Sequence, residues 1–203
     1  MLAQQRSPSL SPTSYVVLGL VAWMQPTTPY DLKRAASRTV GNFWAFPHTQ
    51  LYTEPVRLAE AGLLTEQREE TGRRRRLFSI TDAGRAELAA WLAEPAGEPT
   101  EVRDHGLLQL FFSGHADPAT TLAIARAQRA AHERRLEGYL ATERSINTKR
   151  ELPASRRGAL FGNSTPRAAA MRQATLRFGQ TFERGAVEFW RAIEEAPPDQ
   201  ADG

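Results

Sequence analysis

The chain has 203 residues, 41% of them hydrophobic and 24% charged, enough for one large or two small domains with real cores. It contains no cysteine, which excludes disulfide staples, thiolate metal sites and a cysteine nucleophile. No apolar run approaches the roughly 20 residues of a bilayer-spanning helix, and the opening stretch lacks a signal-peptide core. A cytoplasmic protein without membrane contact is expected. The net charge is only +3, yet lysine occurs only as Lys33 and Lys149, the other 24 basic residues being arginine, and the isoelectric point is near 9.7. Residues 1–85 carry 11 basic and 7 acidic side chains, so all the excess positive charge lies in the first half. An anionic partner for that half, most often nucleic acid, is the simplest implication.

Residues 1–13 read as a polar tail. Tyr15–Met24 is almost wholly apolar and fits a buried helix, ended by Gln25-Pro26. Thr28-Pro29 is a start signal, a hydroxyl cap before a proline in the first turn, for a helix over Pro29–Thr39 with Gly41 as its stop. Tyr30 shares one side of that helix with Lys33 or Arg34 and Ser37; Leu32, Ala35 and Ala36 share the other. A third helix is predicted from His48 to Ala61, closed by Gly62, with Leu51, Leu58 and Ala61 on one face and Val56 near it. Pro55 is its anomaly, because an interior proline removes a hydrogen bond and clashes with the carbonyl four residues earlier, here Leu51. Either the helix kinks there or its first turn is loose.

Leu63–Glu69 and Arg75–Thr81 flank a hydroxyl-glycine turn and read as a β-hairpin. Thr81 or Asp82 then caps a helix over Ala83–Leu92. Residues 95–100, with two prolines and a glycine, form a linker. Beyond it the chain is Ala- and Arg-rich and helical: a short helix Glu101–Ser113, a long one from the Asp117-Pro118 cap towards Ile146, a loop over 147–164, and a last helix from the Thr165-Pro166 cap to about Glu195. In the last helix Phe178, Phe182, Phe189 and Ile193 share a face, with Ala186 and Trp190 beside it. Residues 197–203 read as a second tail.

Three helices, a hairpin and a fourth helix is the order of a winged helix-turn-helix, whose third helix enters the DNA major groove while the wing meets the flanking backbone. The third helix offers His48, Thr49, Gln50, Tyr52, Thr53 and Arg57 as hydrogen-bonding side chains; glutamine can pair bidentately with adenine and arginine with guanine. The hairpin carries Arg73, Arg74, Arg75 and Arg76, planar donors suited to phosphate. Alternation points two of these to each face unless a twisted tip frees all four. Each signal alone has a plainer explanation in surface solvation or core packing; the arrangement carries the argument.

The same stretches resemble the PadR-like transcriptional regulators. The matching segments are VLGLVAWMQPTTPYDLK (17–33), GNFWAFPHTQLYTEPVRLAEAGLL (41–64) and GRRRRLFSITDAGRAELAAWL (72–92). The remainder is similar, more loosely, to the helical C-terminal domain of the subfamily related to virulence activators, through LLQLFF (107–112) and LRFGQTFERGAVEFWRAIEEA (176–196). Pro29 departs from the family's usual glycine and Pro55 from its usual core leucine.

The resemblance implies a mainly α protein: a DNA-binding domain over 14–94 with a two-stranded wing, and a helical dimerisation domain over 101–196. It also implies a homodimeric bacterial regulator, usually a repressor, on pseudo-palindromic double-stranded DNA, with Tyr30, the third-helix set and the four arginines at the duplex. Candidate dimer residues are Leu107, Leu108, Phe111, Phe112, Phe178, Phe182, Phe189, Trp190 and Ile193. Ala-rich helices bury little alone, and the aromatic face of the last helix needs a cover, which supports a dimer independently. A small aromatic effector could meet Trp91, Phe111, Phe112 and Trp190, with core packing the alternative. The competing function is a winged-helix module whose basic wing docks an acidic protein. An enzyme is not expected. His48, His105, His115 and His132 lack metal-ligand spacing and no phosphate loop or nucleophile elbow occurs, so no metal or cofactor is expected either.

Overall fold

Helix α1 (Pro12–Met24) starts where Ser11 and Ser14 exchange bonds, each side chain accepting from the other's backbone N–H, with Pro12 in the first turn. This capping box begins the helix three residues before Tyr15, inside the segment expected to be tail. The computed structural model describes residues 10–70, 74–97, 100–151 and 165–196. Residues 1–9 of the first expected tail, all of the second and part of the linker lie outside them. Among the described residues, no helix is long and apolar enough to cross a membrane.

Thr28 caps α2 (Pro29–Ala36) by accepting from the Asp31 N–H at 3.2 Å. The helix stops three residues before Thr39, and a single 3-10 turn over Val40–Asn42 follows. Helix α3 (Gln50–Glu60) ends in a pair of bonds, Gly62 N–H to Ala59 and Leu63 N–H to Leu58, with Gly62 at φ +74°. That left-handed residue is one glycine adopts without strain. Strands β1 (Leu64–Arg68) and β2 (Arg76–Ile80) pair antiparallel with Leu64 opposite Ile80 and Arg68 opposite Arg76. Phe78 in turn exchanges both backbone bonds with Thr27, which ties the wing to the loop before α2. Helix α4 (Asp82–Leu92) is capped by Thr81, whose hydroxyl also reaches the carbonyls of Gly62 and Leu63.

These elements enclose one core of Val17, Leu18, Leu20, Val21, Leu32, Ala36, Leu51, Leu58, Leu64, Phe78 and Ile80. Ala61, expected on the inner face of α3, is exposed, and Pro55 occupies the interior instead. The side chain that disturbs the backbone is thus buried as packing. The chain divides after Ala96 into two compact units.

The second unit holds α5 (His105–Phe112), α6 (Pro118–Arg150) and α7 (Pro166–Glu195). Asp104 caps α5 by accepting from the N–H groups of Gly106 and Leu107, so that helix starts four residues after the expected Glu101. Helix α6 runs to Arg150, four residues into the expected loop; 152–164 of that loop lie outside the described residues. The two long helices are antiparallel and meet along a polar seam. Arg129 pairs with Glu194 at 2.6 Å, the buried His132 Nδ1 meets Glu183 Oε2 at 2.5 Å, and Gln180 donates to Glu143 at 3.0 Å. Gly179 lies under the Tyr139 ring, where a Cβ would come within 2.6 Å of ring carbon, so these helices touch where only glycine fits.

Candidate nucleic-acid interface

The turn leading into α3 is closed by short-range bonds: Gln50 N–H to Pro47, Leu51 N–H to His48 and Tyr52 N–H to Thr49. These i to i−3 bonds make a tight first turn, and the helix continues through Pro55 to Glu60. Leu51, Pro55 and Leu58 face inward. His48, Thr49, Gln50, Tyr52 and Thr53 are all exposed, so α3 offers donors and acceptors of both kinds along one outer side. Tyr30 is exposed on α2.

Arg57 is exposed on α3 and is also engaged within the fold. Its guanidinium donates to both Glu54 oxygens, at 2.6 and 3.0 Å, and to the Ser14 hydroxyl at 2.9 Å. Ser14 is fully buried on α1 and donates to Glu54 at 2.5 Å. The Arg57 hydrogen bonds lower the Glu54 pKa, against the opposing effect of burial. The triad fastens α3 to α1. The Glu54–Arg57 spacing of three on a helix is visible in the sequence; Ser14, forty residues away, carries no such signal.

The wing arginines separate by strand alternation. Arg73 lies outside the described residues. Arg74 is exposed at φ 48° and forms no ion pair among the described residues. Arg75 donates through Nε and Nη2 to the two oxygens of Glu69, at 2.9 and 2.7 Å. Arg76 shares the side of β2 that carries Phe78 and Ile80, and its guanidinium lies 5.6 Å from the Phe78 ring centre. It donates through two nitrogens to Glu66, each at 2.6 Å. Arg76 is therefore less exposed than Arg74 and Arg75, because its backbone position turns it towards the side of the sheet that carries Phe78 and Ile80. Both glutamates are held below the ordinary carboxylate range, first by these arginine hydrogen bonds. Glu66 and Glu69 were not among the residues expected at the site.

Trp91 on α4 stacks on Tyr15 at 4.6 Å between ring centres, while the Tyr15 hydroxyl donates to Glu87 at 2.9 Å. In the second unit, Leu107, Leu108, Phe111 and Phe112 of α5 and Phe178, Phe182 and Phe189 of α7 are exposed. Ile193 is half-buried. Trp190 departs from the expected open face. At 1% exposure it belongs to the interior of the unit, with Phe189 edge-on to it at 5.1 Å. Among the described residues, no group of three His, Asp or Glu is placed to hold a metal ion.

Four helices with an antiparallel wing after the third define a winged helix-turn-helix protein with a helical C-terminal unit. Residues 17–90 match the transcriptional regulator PadR-like family, and residues 102–196 match the virulence activator alpha C-terminal domain. The chain thus carries the domain of the PadR-like transcriptional regulators, a family of regulators rather than enzymes, over residues 17–90.

The negative transcriptional regulator PadR of Bacillus subtilis is 29% identical over 100 residues, 48% of this chain and 54% of that protein. The chain thus spans about half of that relative's length. The probable transcriptional regulator Rv1176c of Mycobacterium tuberculosis is 28% identical over 188 residues, covering 85% of this chain and 90% of that protein. Among solved structures, B. subtilis PadR in complex with operator DNA superposes with a TM-score of 0.72 at 20% identity, over 91% of this chain and 98% of that one. The same protein with p-coumaric acid gives 0.66 at 20% identity, over 92% and 97%. The Vibrio cholerae virulence activator AphA gives 0.60 at 22% identity, over 90% and 95%.

Proposed function

We propose that this protein is a homodimeric repressor that binds a pseudo-palindromic double-stranded operator and is released by a small aromatic effector. The observation that carries the DNA reading is the outer side of α3, where His48, Thr49, Gln50, Tyr52 and Thr53 stand exposed beside the arginine wing. Base edges are read by hydrogen-bonding side chains on such a helix, and phosphates by arginines beside it. The operator complex of B. subtilis PadR, a relative of the same fold, supports this reading. The first unit, about residues 14–94, is the DNA-binding domain and the second, about 101–196, the dimerisation domain.

The exposed aromatic surfaces of α5 and α7 support the dimer, since large apolar patches on one chain call for a cover. Two-fold symmetry would set the recognition helices about 34 Å apart, one turn of DNA. The p-coumaric acid complex of B. subtilis PadR supports an aromatic effector. Of the candidate effector residues, Trp91 and Phe111 are exposed, each within its own unit, and Trp190 is buried. The negative transcriptional regulator PadR, 29% identical over 100 residues, supports the repressor assignment.

Fluorescence anisotropy on DNA from upstream of the protein's own gene, against a scrambled duplex at two salt concentrations, tests the reading. Preference for the upstream fragment is expected; equal affinity at every salt would remove it. A second reading is a wing that docks an acidic protein, since the exposed Arg74 could meet a carboxylate as readily as a phosphate. That reading predicts no preference between the two duplexes.

A further inference from the structure

The wing presents arginines already bonded fork to fork with carboxylates, in the planar two-bond geometry that arginine also adopts on phosphate. Glu69 faces Arg75 across the hairpin, and Glu66 lies diagonally across from Arg76 on the opposite side of the sheet. We propose that Glu66 and Glu69 act as internal phosphate mimics, occupying one edge of Arg76 and of Arg75 respectively and offsetting their charge, so that the wing holds a polyanion more weakly than its arginine count implies. The inference rests on the DNA-binding reading for its purpose, while the occupancy itself concerns any polyanion.

The physical consequence is a wing weaker on non-specific DNA than its arginine count implies. A phosphate that takes the Nε–Nη2 edge of Arg75 must displace Glu69, and one that meets the remaining donors approaches a guanidinium whose charge Glu69 already offsets. Each arginine withheld from phosphate also removes about one counterion release from the salt dependence. Arg74, with no carboxylate partner among the described residues, remains available for first contact. The two pairs differ in exposure. Arg75 is more than half exposed and its pair opens readily to solvent, whereas Arg76 is tied down by the Phe78 ring as well. Glu69 is therefore the residue whose removal frees an arginine without disturbing the core.

The test compares Glu69→Gln with Glu70→Gln, which makes the same charge change at the neighbouring residue, where no ion pair is present among the described residues. The full-length proteins are eluted from immobilised heparin by a salt gradient and titrated onto operator and scrambled duplexes. Glu69→Gln is expected to elute at higher salt than Glu70→Gln. It should also bind both duplexes several-fold more tightly at low salt, with a slope of log affinity on log salt steeper by about one unit. Equal elution of the two variants, or weaker retention of Glu69→Gln, would overturn the proposal, the latter meaning that Glu69 presents Arg75 to phosphate instead of withholding it. The heparin arm decides this even if the wild type fails to prefer the operator, an outcome that would strike the DNA reading alone. Thermal melting of both variants confirms that the fold is retained in the comparison.

Discussion

Ser14 of α1 donates its hydroxyl to Glu54 of α3 at 2.5 Å, and Arg57 closes the triangle by donating to both. The contact joins the first helix to the proposed recognition helix and engages Arg57 within the fold. Removing the carboxylate should loosen this joint. Because the Glu54 pKa is lowered from its usual 4.5 in the folded state, its contribution is fully present above that value and is lost as pH falls through the lower folded value. The melting temperature of the wild type should therefore fall more steeply on acidification from about pH 7 to about pH 3 than that of Glu54→Gln. Parallel melting curves for the two proteins across that range would contradict the role.

Arg74 is the described wing arginine without an acidic partner, so it is the one expected to meet phosphate first. Arg74→Ala should weaken binding to all duplexes alike and reduce the salt slope by about one unit. Anisotropy titrations at several salt concentrations measure both quantities. An unchanged slope would remove Arg74 from the contact.

Gln50 opens α3 and is exposed with both an acceptor and a donor on its amide. Gln50→Ala should cost roughly 1–3 kcal/mol at one base position and leave binding to scrambled DNA unchanged. A panel of single-base operator variants locates that position, since the mutant loses discrimination there and nowhere else.

The buried bond between His132 and Glu183 joins α6 to α7 across 51 residues of sequence. Glu183→Ala leaves a buried ring nitrogen unpaired, and such a group costs about 1–3 kcal/mol. Replacing both, as His132→Leu with Glu183→Leu, removes the unpaired group and should recover most of the loss. Urea unfolding of the single and double variants tests this. A double variant as unstable as Glu183→Ala would show that the pair does more than satisfy itself.

Much of the fold was legible because its signals are local. Thr28-Pro29 starts α2, Thr81 starts α4, Gly62 ends α3, and the alternation around Phe78 and Ile80 marks β2, since each depends on residues within one turn or one strand. The outer side of α3 followed from helical spacing for the same reason. The ends of elements were less legible. Helix α1 begins earlier because Ser11 and Ser14 cap it reciprocally, and α6 runs longer because nothing in 147–150 breaks a helix already propagating.

The residue types of the proposed binding face, their clustering in the first half of the chain and the order of the elements are properties of the sequence itself. Spacing and charge are set as soon as the chain is written. Which arginines are free is not. Arg57 is claimed by Ser14 and Glu54, Arg75 by Glu69, and Arg76 by Glu66 and the Phe78 ring, while Trp190 turns inward from an otherwise open aromatic face. Apart from the Glu54–Arg57 spacing, those outcomes depend on which side chains the fold brings together, in range of a charged hydrogen bond for the arginines and of apolar packing for Trp190, and residue types alone do not encode it.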